Sequence, residues 1–151
     1  MTKRTVVLII ILISAILYGC SVPLDLEYSY RQSADQITSI EILRKEYDSV
    51  RTDTPMNVLK VFDPSEFQMV LDGLGNVPIT RRLNPPGTGF GLYIIRITYQ
   101  NGEADLIGNY NTGYITTDGQ LYQESYFFHT EPYYDLISAL LGEEITDYTY
   151  G

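Results

Sequence analysis

Phe90-Gly91-Leu92-Tyr93-Ile94-Ile95-Arg96-Ile97-Thr98-Tyr99-Gln100-Asn101-Gly102-Glu103-Ala104-Asp105-Leu106-Ile107-Gly108-Asn109-Tyr110 is the stretch around which the chain is organised. Asn101-Gly102 lies between two alternating runs, the pattern of a two-residue hairpin in which both turn positions take positive φ. A turn closed there pairs Tyr99 with Ala104, Ile97 with Leu106, Ile95 with Gly108 and Tyr93 with Tyr110. These eight then share one face, with Gln100/Glu103, Thr98/Asp105 and Arg96/Ile107 on the other. A slip of one residue exchanges the faces, so turn and pattern together predict the register. Gly108 has no side chain, which leaves room for a close neighbour.

Working outward, 36–47 alternates and predicts a first strand, and 56–62 a second. Asp63-Pro64-Ser65-Glu66 is a helix start, with Asp63 as N-cap, Pro64 at the first helical position and Glu66 closing a capping box. Phe67, Val70, Leu71 and Leu74 form the apolar stripe of that helix, and Gly73 and Gly75 are expected to stop it. A short strand over 77–82 precedes a loop over 83–89 that contains Pro85-Pro86-Gly87. Asp118-Gly119 predicts a second hairpin between 114–117 and 120–128. Thr130 is expected to cap a last helix, with Tyr133, Ile137, Leu140 and Leu141 buried and Gly142 past its end. The element order predicts an α+β single domain: a curved antiparallel sheet of about five to seven strands, with two helices packed on one face.

The chain has 151 residues, 10 basic and 19 acidic, and a net charge of −9. Its first 19 residues hold Lys3 and Arg4 and no acid, so the remainder stands at −11. That charge argues against nucleic acid and against electrostatic adhesion to anionic lipid.

Lys3 and Arg4 precede an apolar run from Val6 to Leu17 that ends at Tyr18-Gly19-Cys20, the layout of a secretory signal. Leu17-Tyr18-Gly19-Cys20 resembles the lipobox of bacterial lipoproteins, matching it at Leu17, Gly19 and Cys20, with Tyr18 bulkier than usual at the permissive position. The resemblance implies acylation of Cys20, cleavage before it, and a protein anchored through its acyl chains to the cell membrane or outer membrane, facing outside the cytoplasm. It also accounts for a lone cysteine in an exported chain. The expected organisation is a signal peptide over 1–19, a lipidated Cys20 and flexible tether over 20–35, the domain over 36–142 and an acidic tail over 143–151.

Catalytic residues do not assemble from the sequence. His129 is the single histidine, and Glu124 and Glu131 flank it without a metal-ligand spacing. Gly87, Gly89 and Gly91 lack the lysine and following helix of a phosphate loop. Glu103/Asp105 and Glu143/Glu144 read as solvated carboxylates rather than a glycosidase pair. Neither a cofactor nor a metal is expected. Tyr110 and Tyr114, interleaved with Asn109, Asn111 and Thr112, are candidate binding residues, because rigid amphipathic rings make contact at low entropic cost. Arg81 and Arg82 form the paired basic site of an acidic domain and are further candidates, whereas Tyr93, Tyr99 and Tyr126 read as structural. The expected function is a non-catalytic module for a protein or envelope partner. Alternatives are an inhibitor or immunity-type lipoprotein and a hydrolase of unrecognised type.

Overall fold

A computed structural model describes residues 28–46, 55–81, 89–124 and 126–146. Cys20 and the signal, Arg82 and most of the Pro-Pro loop, and residues 147–151 lie outside that set.

The chain forms β1 (Ile37–Lys45), β2 (Met56–Val61), α1 (Phe67–Gly75), β3 (Ile79–Arg81), β4 (Tyr93–Tyr99), β5 (Ala104–Gly108), β6 (Thr112–Ile115), β7 (Leu121–Glu124), β8 (Tyr126–Phe128) and α2 (Thr130–Leu141). Six strands make one antiparallel sheet in the order β2-β1-β4-β5-β6-β7, and β3 pairs with β8 in a small second sheet. The expected α+β architecture, with both helices on one face, is the observed one.

That helical face, here the front, carries the main core. Val70 and Leu74 of α1 and Tyr133, Tyr134, Ile137 and Leu140 of α2 pack on Ile40, Ile42, Tyr93, Ile95, Ile97, Tyr99 and Ile107 of the sheet. The capping box at Asp63 and Glu66 is present, with the Asp63 N–H donating to Glu66 Oε2 at 2.9 Å. It opens a 3-10 turn, Pro64–Glu66, that runs into α1. Gly73 does not stop α1, which continues to Gly75. A Cβ at Gly73 would press on Leu136 of α2, so that glycine serves the crossing of the two helices. His129, rather than Thr130, occupies the N-cap of α2.

The central hairpin departs from expectation by one residue. Thr98 pairs with Ala104, Ile97 with Asp105, Ile95 with Ile107 and Ile94 with Gly108. The loop has three residues: the Tyr99 N–H donates to Glu103 O and the Gly102 N–H to Tyr99 O, both at 2.9 Å. Gly102 sits at φ +84°, and no described non-glycine residue has positive φ. A two-residue turn needs positive φ at Asn101 as well, whereas a three-residue loop confines it to the glycine. The Asp118-Gly119 hairpin makes the same choice, with Ile115 opposite Leu121 and Gly119 at φ +81°.

The shift leaves β4 as expected and inverts β5. Ile107 and Asp105 face the helices, while Leu106 joins Leu43, Phe90 and Ile94 in a second cluster on the back of the sheet. Phe90 covers that back face. Its carbonyl occupies the space a Cβ on Gly108 would need, so the close neighbour expected there is backbone.

Two further expectations change. Residues 120–128 are not one strand: β7 ends at Glu124, and β8 leaves the main sheet to pair with β3. Residues 28–35, expected in the tether, pack on the domain, with Tyr28 and Tyr30 against the front core and Tyr28 5.7 Å from the Phe128 ring. At the other end Ile145 is buried, and its N–H donates to Ser138 Oγ at 3.2 Å.

Candidate binding surface

The front face at the β5–β7 end lies beyond the helices and is crossed by the N-terminal strap, residues 28–36. Tyr114 and Tyr122 are directly opposed on β6 and β7, and their rings stack with centroids 5.1 Å apart and planes 16° apart. The Arg31 guanidinium lies over the inner partner of that pair, 3.6 Å from the Tyr114 centroid. Tyr122 is 46% exposed. Cross-strand aromatic stacking holds the rings in place, and the cation over the π face adds about 0.5–1 kcal/mol at an exposed site. The result is a rigid, amphipathic three-layer pile open to solvent.

Beneath the pile is Asp105. Its expected place was an exposed strand face, but the one-residue register shift turns it inward and it is fully buried. Oδ2 accepts the Tyr99 hydroxyl at 2.6 Å and the Arg31 backbone N–H at 3.1 Å. Oδ1 has no hydrogen-bond partner among the described residues. Desolvation raises the Asp105 pKa above the ordinary carboxylate range, against the lowering effect of the Tyr99 hydroxyl and the Arg31 N–H. The surrounding phenols are held protonated. Tyr28 and Tyr99 are raised far above their usual value, first by burial and then by Asp105, and Tyr30 is pushed up to about 12. The strap gains two more fastenings at Glu103, a 3.2 Å hydrogen bond from Gln32 and a 3.9 Å ion pair with Arg31. Asp105 is therefore the buried anchor of the strap, and the strap in turn delivers Arg31 to the aromatic pair.

The candidates from the sequence separate in space. Tyr114 is in the pile. Tyr110 stands in the β5–β6 turn, half-buried, and its ring lies beside Gly91. Arg81, exposed at the end of β3, has its guanidinium 5.8 Å from the Tyr126 ring; Arg82 and Cys20 are outside the described residues. Arg31 is the residue that sequence reasoning missed, while Tyr122 belongs to the turn tyrosines visible in the sequence but is not among the candidates drawn from them. A two-residue turn at Asp118-Gly119 would have set Tyr122 opposite Ile115, and it is the three-residue loop that brings it opposite Tyr114; Arg31 fell in the expected tether and carried no such signal.

The remaining polar groups have local duties. His129 Nε2 is 2.9 Å from Thr80 Oγ1, tying β8 to β3. Asn111 Nδ2 donates to Gly89 O at 2.8 Å, holding the segment that carries Phe90. An open groove of about 760 Å³ lies between the strap and α1, where Asp72 accepts from Gln68 at 2.7 Å. Among the described residues, no group of three or more His, Cys, Asp or Glu is placed to hold a metal ion, and no helix is long and apolar enough to cross a membrane.

No protein-family model, curated protein or solved structure matches the chain.

Proposed function

We propose that the chain is a lipid-anchored extracytoplasmic protein whose folded domain binds a protein or envelope partner without catalysis. The observation that carries this reading is Leu17-Tyr18-Gly19-Cys20 at the end of a basic-then-apolar N-terminus, with Cys20 the single cysteine of the chain. Two acyl chains on that residue anchor stably where one does not.

The fold gives the reading a dimension. Tyr28 and Tyr30 belong to the domain, so the lead from Cys20 is at most residues 21–27. Even fully extended, a lead of that length reaches only about 25 Å. A domain on so short a lead works next to its membrane, and its partner must come within the lead and the domain's own width of the bilayer. The Arg31–Tyr114–Tyr122 pile supports a contact role, since stacked, pre-ordered aromatics offer area that loses little entropy on binding.

The test has two arms. Intact-mass analysis of the membrane fraction should find a mature chain that begins at an acylated Cys20, and Cys20→Ala should give an unprocessed precursor or a soluble product. An unmodified Cys20 thiol in the mature protein overturns the anchor. Crosslinking on intact cells should then capture a membrane-proximal partner with the acylated protein and lose it with Cys20→Ala.

A further inference from the structure

The groove between the strap and α1 has two unlike walls. On the strap side are Tyr28 and Tyr30, whose rings meet edge to face with centroids 5.1 Å and planes 82° apart. Burial first, then Asp105, then Asp72 of the opposite wall push the Tyr30 pKa up to about 12, so its hydroxyl stays a donor. On the α1 side Gln68, Asp72 and Asn76 follow one another at i, i+4 and i+8, one polar row along an exposed flank. The row is tied to itself. Gln68 Nε2 donates to Asp72 Oδ1 at 2.7 Å, and Asn76 Nδ2 donates to Asp72 O at 2.8 Å. Both amide nitrogens are thus engaged, and what the row has left is mostly acceptor oxygen. Gly75 also lines the groove, and a Cβ there would meet nothing within 4 Å, so the space at this point is open.

We infer that this groove binds a neutral, linear, β-1,4-linked glycan, with its ring faces on the tyrosines and its hydroxyls on the Gln68–Asp72–Asn76 row. A sugar ring has an apolar C–H face and an edge of hydroxyl donors, and the two walls match that pairing. Spacing selects the linkage. Successive members of the row advance about 6 Å along the helix, close to the advance per ring of an extended β-1,4-linked chain. An α-1,4-linked chain curls away from so straight a row. Charge selects a neutral ligand. No lysine or arginine lines the groove among the described residues, so an anion finds no partner there. Asp72 is a single exposed carboxylate already bonded to Gln68, and such a group holds a cation only weakly. At about 760 Å³ the groove has room for more than one ring. It uses no side chain of the tyrosine pile and does not depend on the anchor at Cys20, so it stands or falls separately from both.

Chitohexaose and cellohexaose are the probes, titrated calorimetrically into the full-length protein in nanodiscs. At least one should bind, and maltohexaose, with the same number of rings but α-1,4 links, should bind at least about tenfold more weakly. A preference for chitohexaose assigns the groove to an acetamido glycan, and a preference for cellohexaose to an unsubstituted one. Gly75→Leu fills the groove from an exposed helical position that has room for the side chain, and Asp72→Ala removes the centre of the row. Each variant should keep its melting temperature and weaken binding about tenfold or more. Failure of both β-linked probes to bind, equal binding of maltohexaose, or unchanged binding by a folded Gly75→Leu or Asp72→Ala variant would each overturn the proposal. So would spermidine binding through Asp72 more tightly than any of the glycans, which would make the groove a cation site.

Discussion

The Tyr99 hydroxyl donates a 2.6 Å hydrogen bond to Oδ2 of Asp105, joining the two strands of the central hairpin inside the protein. Asp105 is fully buried and Tyr99 nearly so. A buried carboxylate is tolerated only while its donors are in place, because lost hydration is not otherwise replaced.

Tyr99→Phe should therefore cost more than an ordinary surface hydrogen bond, about 1–3 kcal/mol, because the buried acceptor oxygen is left with the Arg31 N–H alone. Asp105→Asn in the same background should recover part of that loss, and urea denaturation of the four members of the cycle measures the coupling. A silent Tyr99→Phe would mean that Asp105 does not depend on this donor.

The same carboxylate sets a pH dependence. Desolvation, the dominant influence, places the Asp105 pKa in the folded protein above its unfolded value. The folded state then holds the proton more tightly, so this contribution to stability is complete below the unfolded pKa and is lost as pH rises through the folded one. The melting temperature of the wild type minus that of Asp105→Asn should fall between pH 4 and neutrality, where the ordinary carboxylate value of about 3.9 is passed. Asp35 and Asp118, lowered by the hydroxyls of Ser33 and Thr116, titrate in both proteins and cancel in the difference. A difference that grew with pH would contradict the assignment.

Asp105 also shows where the sequence could be read and where it could not. Glycine-marked turns, the capping box at Asp63 and the helical stripes follow from local chemistry, and they gave the fold class and the buried face of β4. The face of β5 depended on one residue of loop length, because Asn101-Gly102 suits either a two- or a three-residue loop. The alternation in β5 did not arbitrate, since both sheet faces are covered: Leu106 is buried under Phe90 and Ile107 under the helices. An aspartate facing the core ran against the usual preference of the residue, and its partners, Tyr99 and the Arg31 N–H, are brought to it by tertiary structure. The strap was illegible for a similar reason: 28–35 has no period, and what orders it are contacts more than 70 positions away in sequence.

The register can be tested directly. Ile107→Ala removes a fully buried front-face side chain and should cost about 2–5 kcal/mol, while Thr98→Ala should stay within about 0.5. The two-residue turn would instead have placed Ile107 on the outer face beside Arg96, where truncation is mild. Gly108→Ala should be worse than a typical overpacking change of about 1–3 kcal/mol, because the neighbour that must yield is the Phe90 backbone.

The tyrosine pile makes the most exposed prediction about function. Tyr114→Ser with Tyr122→Ser removes both stacked rings and the seat of Arg31, but leaves the Asp105 anchor and the front core intact. The stack itself contributes about 0.5–1.5 kcal/mol, so the double variant should remain folded with a modest drop in melting temperature. If the pile is the contact surface, aromatic anchors of this kind carry about 2 kcal/mol or more each, and the double change should abolish crosslinked capture of the membrane-proximal partner. Tyr110→Ser is the internal control, because that ring lies in the β5–β6 turn beside Gly91. Capture lost with Tyr114 and Tyr122 but kept with Tyr110 places the partner on the pile. Capture kept by a folded Tyr114→Ser/Tyr122→Ser variant would remove the pile from the binding surface, whatever becomes of the anchor at Cys20.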